Sequence, residues 1–165
     1  MTSFADYAER RRAGVGLDIV VTSLQWLHSL ALPPSIWEHD AMKDLMDEVA
    51  VGVFLFNDVV SLKKEVVEGY VDSTVPILVW NQNISAQAAV DKAVEMMETS
   101  WQGLLAAGTK LQDVADTEKE KSDVKVLVDC CKDVVVGHMA YCLRVSRYMA
   151  DATFEGQGKA FRIVL

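Results

Sequence analysis

The chain has 165 residues, 51% of them hydrophobic, with 16 Lys and Arg against 24 Asp and Glu for a net charge of -8. That length supports one sizeable core rather than two ordinary domains, so residues 1–165 are expected to form a single unit, and the apolar content excludes a disordered chain. The acidic balance argues against a nucleic-acid partner, because a phosphate backbone calls for a net basic surface.

Helical periodicity dominates and alternating strand patterns are nearly absent. Segment 3–13 reads as a short helix or turn. A broad apolar face of Leu17, Val20, Val21, Leu24, Leu27 and Leu30 predicts a helix stopped by Pro33-Pro34. Ser35 with Glu38 forms a candidate capping box for the next helix. Met42, Leu45, Met46 and Val49 lead from there into a long buried segment that runs through Glu68 and ends at Gly69. Thr74 to Trp80 is β-rich by propensity but has no partner strand in the chain, so it is read as helical. Asn81-Gln82-Asn83 marks a turn, and Ser85 caps a helix reaching about Leu111. Asp113 to Asp123 reads as a solvated loop, Ser122 as a cap for a last helix through Met149, and the tail from Asp151, with Gly156 and Gly158, as mobile. The fold class expected is all-α, an antiparallel bundle of about five helices.

Cys130, Cys131 and Cys142 form neither a disulfide framework nor a CxxC metal pair, which points to a reducing, cytoplasmic setting. Arg10, Arg11 and Arg12 precede an apolar run that Gln25 and His28 interrupt, so the N-terminus lacks the pattern of a signal peptide. No uninterrupted apolar run of about 18 residues is available to span a bilayer.

The stretch that carries chemistry is Asn57-Asp58-Val59-Val60-Ser61-Leu62-Lys63-Lys64-Glu65. On a helix Asn57, Ser61 and Glu65 drift only about 40° per step and share one face. They offer an amide oxygen, a hydroxyl and a carboxylate, hard donors of the class that suits Mg2+, with one carboxylate leaving room for waters and phosphate on the ion. They follow the apolar run Val51, Val53, Phe54, Leu55 and Phe56, where buried polar groups need partners. The bland alternative is an ordinary core, with Asn57 and Ser61 bonded to neighbouring groups and Glu65 at the surface.

The string resembles the second metal-binding motif of class I terpene synthases, (N/D)D(L/I/V)x(S/T)xxxE, and Asn57, Asp58, Val59, Ser61 and Glu65 meet every defined position. The fungal form NDxxSYxKE is matched at Lys64 as well, with Leu62 in place of Tyr. Tyr7 to Gly16, YAERRRAGVG, resembles the family's YxxxRRxTxG, whose arginine contacts substrate diphosphate. Registering on Gly16 gives that role to Arg12 with Arg11 as its neighbour; counting the interval to Asn57 slightly differently chooses Arg11. The bland alternative here is a solvated basic patch. Gly137 to Met149, GHMAYCLRVSRYM, resembles the closing motif GNxxWSxxxxRY at Gly137, Arg147 and Tyr148, with His138, Tyr141 and Cys142 replacing Asn, Trp and Ser.

The resemblance implies the C-terminal half of the family's α domain and a Mg2+-dependent ionisation of a prenyl diphosphate, farnesyl diphosphate in the first instance. It implies metal ligands Asn57, Ser61 and Glu65, diphosphate contacts Arg12, Arg11, Lys64, Arg147 and Tyr148, and pocket residues Phe56, Val53 and Tyr141, the last able to face a carbocation by cation–π attraction. The family's aspartate-rich motif, D(D/E)xxD or a variant, is not found. Asp40, Asp44, Asp47 and Glu48 alternate with Met42, Leu45 and Met46 as the wet face of an amphipathic helix does. The chain is therefore expected to be a truncated gene product, a separately made fragment or a half-protein, inactive alone, and completed by its own second copy or by an N-terminal half. A degenerate, non-catalytic helical protein is the alternative.

Overall fold

The computed structural model describes residues 2–149 together with 153–155 and 160–162. Eight helices occur among them: α1 (Phe4–Gly14), α2 (Leu17–His28), α3 (Pro34–Trp37), α4 (Asp40–Val67), α5 (Thr74–Gln82), α6 (Ala86–Val114), α7 (Glu118–Cys142) and α8 (Ser146–Met149). Two three-residue strands, β1 (Thr153–Glu155) and β2 (Ala160–Arg162), pair antiparallel with Phe154 opposite Phe161. This short ladder was not expected from the sequence; Gly156 and Gly158 lie outside the described residues, and with them the expectation of a mobile tail.

The bundle is built around α4. Its 28 residues span about 42 Å at 1.5 Å per residue, and it packs against α1, α2, α5, α6, α7 and α8. Leu45, Val49 and Ala50 join Leu104 and Leu111 of α6 and Leu127 and Cys131 of α7 in the main core. Phe54 and Leu55 meet Tyr7 and Ile77 in a cluster that binds α1 and α5 to the same helix. The β-rich stretch at Thr74 folds as helix because its Val75, Ile77 and Leu78 are buried against α4 and α6, and tertiary packing overrides the local preference.

Several helix ends differ from expectation, each for a local reason. α2 stops at His28, ahead of the proline pair, because Ser29 is left-handed at φ 52° and the N–H groups of Ser29 and Leu30 bond Trp26 O and Gln25 O. Ser35 caps nothing: Pro34, with its preset φ, opens a single helical turn one residue earlier, and α4 is capped instead by His39 Nδ1, which accepts from Ala41 N at 3.1 Å. The charged stretch after Asp113 is largely helix, with a capping box between Thr117 and Glu120 where Ser122 was expected to serve. The last helix breaks after Cys142, and Tyr148 is carried on the separate α8. No helix among the described residues is long and apolar enough to cross a membrane.

Two glycines of α6 set how closely its neighbours approach. A Cβ at Gly108 would lie 2.7 Å from Val128 Cγ1, whereas one at Gly103 would meet the end of the Glu48 side chain at 2.6 Å. Val128 is β-branched and cannot turn aside, and the Glu48 carboxylate can. Gly108→Ala should therefore lower stability by about 1–3 kcal/mol despite the better helix former. Gly103→Ala should be neutral or stabilising by up to about 1 kcal/mol. Denaturant unfolding followed by circular dichroism separates the two.

Candidate functional site

Three turns of α4 present Asn57, Ser61 and Glu65 on one face, and their side chains are already oriented. Ser61 Oγ donates to Glu65 Oε1 at 2.6 Å, and Asn57 Nδ2 donates to Tyr148 Oη at 3.1 Å. The second bond fixes the orientation of the Asn57 amide, with its nitrogen toward Tyr148. Glu65 Oε2 is buried and has no hydrogen-bond partner. An amide oxygen, a hydroxyl and a buried, unsatisfied carboxylate oxygen in a row fit a hard cation, which would supply the interaction the carboxylate lacks.

Next to Asn57 in the chain, Asp58 turns the other way and is 1% exposed. Its Oδ2 accepts from Tyr7 Oη, from Thr74 N at 3.1 Å and from Thr74 Oγ1 at 2.6 Å, while Oδ1 pairs with Arg11 at 3.0 Å. The carboxylate thus draws α1 and the start of α5 onto α4. Burial, reinforced by the Asp58 charge and hydrogen bond, pushes the Tyr7 phenol well above its ordinary value of 10.0. For Arg11 burial is the largest single influence and works downward, but the charges of and hydrogen bonds to Asp58 and Tyr7 together outweigh it, and the guanidinium is held more firmly protonated than usual.

A polar cavity of about 270 Å3 lies over this arrangement, lined by Arg11, Asn57, Asp58, Glu65, Tyr70 and Ser73 among others. Of the two candidate arginines, Arg11 is the one brought here: its guanidinium sits 6.0 Å from the Phe54 ring centroid and its Nε is buried without a partner. Arg12, favoured by the glycine register, is exposed, because the two residues differ by about 100° around α1. Lys64 is tied to Glu68 at 2.9 Å on its own helix. Arg147 is exposed and stacks 5.7 Å over the Tyr148 ring, and Tyr148 meets the site through Asn57.

The expected apolar wall is divided. Phe56 lines a second, apolar groove of about 890 Å3 with Val59, Met97, Trp101 and Met139, whereas Val53 packs into the main core and Tyr141 is 62% exposed. The groove and the polar cavity share no lining residue. Cys142 is buried with its sulfur 3.4 Å from His138 Nε2. Burial raises the thiol and lowers the imidazole, which favours the neutral form of both. No group of three His, Cys, Asp or Glu among the described residues is placed to hold a metal, and in the Asp40–Glu48 segment Asp44 is exposed opposite Lys110. Sequence reasoning gave no role to Tyr7, Asp58, Ser73 or Thr74. Tyr7 and Asp58 stood inside the quoted strings; nothing in the sequence marked Ser73 or Thr74.

Residues 1–103 match a family model described as terpene synthase family 2, C-terminal metal binding. The terpene cyclase braA of Annulohypoxylon truncatum is 28% identical over 138 residues, which is 84% of this chain and 37% of that protein. The (2Z,6E)-hedycaryol synthase of Kitasatospora setae is 28% identical over 150 residues, covering 88% and 44%. Silphinene synthase peniA of Penicillium patulum is 26% identical over 148 residues, covering 88% and 38%. Among solved structures a T181N cucumene synthase superposes with a TM-score of 0.76 at 16% identity over 90% of this chain and 50% of its own, a likeness of fold. The chain spans less than half the length of the curated relatives it matches.

Removing the Asp58 carboxylate leaves Arg11, Tyr7 and Thr74 without their acceptor. Asp58→Ala should cost about 3–5 kcal/mol of stability, and Tyr7→Phe about 1–3 kcal/mol, read from denaturant midpoints. The Tyr7 contribution carries a pH signature. The phenol is protonated in both states below about pH 10, so its stabilisation is complete there. At higher pH the unfolded phenol ionises while the buried one stays protonated, and stability falls as pH rises. Thermal melts between about pH 9 and pH 11 should show that fall in the wild type and a smaller one in Tyr7→Phe.

Proposed function

This chain belongs to the terpene synthase family, and from that premise we propose that it carries the metal- and diphosphate-binding part of a class I cyclase acting on a prenyl diphosphate. The observation that carries the reading is the buried, partnerless Glu65 Oε2, on one helix face with Asn57 and Ser61, with Glu65, Asn57 and Arg11 lining the same cavity. Sesquiterpene cyclases among the relatives, such as hepA of Aspergillus oryzae, make farnesyl diphosphate the first substrate to test.

Asn57, Ser61 and Glu65 would hold Mg2+, which when bound neutralises charge on the diphosphate as it departs. Tyr148 fixes the Asn57 amide, and Ser61 fixes the Glu65 carboxylate, so both ligands are set before substrate arrives. Arg11 has one guanidinium nitrogen on Asp58, and its Nε, which has no protein partner, would donate to a diphosphate oxygen. In the reaction the allylic C–O bond breaks, both electrons leave with the diphosphate, and the carbocation cyclises where apolar walls exclude water. Arg12 and Arg147 are exposed cations and Lys64 is paired with Glu68; none of the three lines the polar cavity, and their contact with diphosphate remains part of the proposal. Phe56 of the proposed hydrocarbon wall lines the apolar groove, which shares no lining residue with the polar cavity. A complementary half, or a second copy, would complete the chamber, and the setting we propose is cytoplasmic.

Calorimetry with MgCl2 and inorganic pyrophosphate tests the site on the 165-residue chain. Pyrophosphate should strengthen Mg2+ binding, and Glu65→Gln should weaken it by about tenfold or more, since it removes the one charged ligand. Arg11→Lys, which keeps the charge beside Asp58 but loses the planar fork, should weaken pyrophosphate more than Arg12→Ala does. Unchanged binding in Glu65→Gln would sink the metal assignment. The same chain, incubated with farnesyl diphosphate and Mg2+, should give no cyclic product above a metal-free control by gas chromatography, because groups that act as a unit lose activity out of proportion when part of the set is missing.

A further inference from the structure

Ser73 stands at the N-cap of α5, where a serine oxygen ordinarily accepts from the N–H of the second or third helical residue. The third residue here is Pro76, which has no N–H, and Ser73 makes no side-chain cap bond. The residue is nonetheless 1% exposed, and its Oγ is buried without a partner. Its backbone is pinned on both sides: Ser73 O accepts from Ile77 N at 3.1 Å, and the following Thr74 is bonded twice to Asp58.

The buried side-chain atoms left without partners among the described residues are Arg11 Nε, Glu65 Oε2 and Ser73 Oγ, and all three residues line the same polar cavity. Unsatisfied buried polar atoms are costly and rare, and their collection in one cavity marks a place where a ligand completes the bonding. Arg11 Nε is a pure donor, Glu65 Oε2 a pure acceptor, and a hydroxyl can be either. Beside an arginine donor, the hydroxyl finds its best acceptor in an anionic oxygen. We propose that Ser73 is a further ligand-binding residue, whose hydroxyl donates to an oxygen of the diphosphate alongside Arg11. The inference rests on the reading that this cavity takes a metal diphosphate. It adds a residue from the connection between α4 and α5 to a set otherwise drawn from α1, α4 and α8.

The test compares wild type, Ser73→Ala, Ser73→Gly and Ser85→Ala, each as the full chain, by calorimetry with MgCl2 and inorganic pyrophosphate and by thermal melts with and without both. Ser85 is the control, a serine that does cap its helix through Ala88 N. Both Ser73 variants should bind pyrophosphate about three- to tenfold more weakly, while the melting temperature of the free protein holds or rises. Ser85→Ala should do the reverse, melting earlier with affinity unchanged. Pyrophosphate affinity within a factor of about two of wild type in both Ser73 variants would overturn the proposal, as would a free-state melting loss matching that of Ser85→Ala, since the hydroxyl would then serve the fold or an ordered water. Should wild type itself fail to bind pyrophosphate with Mg2+, the metal-diphosphate reading falls and takes this inference with it.

Discussion

A carboxylate that is 1% exposed must be surrounded by donors, and Asp58 has four: the Tyr7 hydroxyl, the Arg11 guanidinium and both the N–H and hydroxyl of Thr74. Without them a buried charge of this kind would be expelled or neutralised. The requirement fixes more than one side chain. α1 reaches Asp58 through two residues one turn apart, Tyr7 and Arg11, so both its rotation and its height along α4 are determined. The first residue of α5 is held at the same point. Asn57, beside Asp58 on the chain, is thereby displayed on the adjoining face.

Around that hub the polar groups fall into two sorts. Those that organise the site are paired: Asn57 with Tyr148, Ser61 with Glu65, Arg11 with Asp58. Three buried atoms of cavity-lining residues are not: Arg11 Nε, Glu65 Oε2 and Ser73 Oγ have no protein partner. Arg11 and Glu65 belong to both sorts, one atom held by the protein and another left free. A preorganised site has this property, since its groups are fixed before a ligand arrives and need no rearrangement to meet it. The apolar part shows the opposite state. Phe56 faces a groove apart from the polar cavity and Tyr141 is largely in solvent, so the polar groups converge on one cavity among the described residues while these aromatic side chains do not.

What the sequence determined by itself was whatever depends on short-range spacing. Helical periodicity identified an all-α bundle and the long central helix through Glu68, and the interval of four residues placed Asn57, Ser61 and Glu65 on one face. Residue types told which of them can meet a hard cation. Helix ends were less legible, since a capping residue is decided by which N–H is actually free. With Pro34 opening α3, Ser35 lies inside the helix and caps nothing, and Thr117 took the place expected for Ser122. Tertiary structure alone decided between Arg11 and Arg12. They are neighbours in sequence, yet a step of about 100° around α1 turns one toward Asp58 and the other to solvent, and the direction is set by where Tyr7 is buried. It also decided Ser73, a serine whose usual partner is missing because Pro76 lacks an N–H, and whose place in the cavity follows from contacts between segments far apart in the chain. Spacing along one helix is a local property that the residue string contains; which of two adjacent side chains meets a distant carboxylate is a property of packing, and exists only once the helices are together.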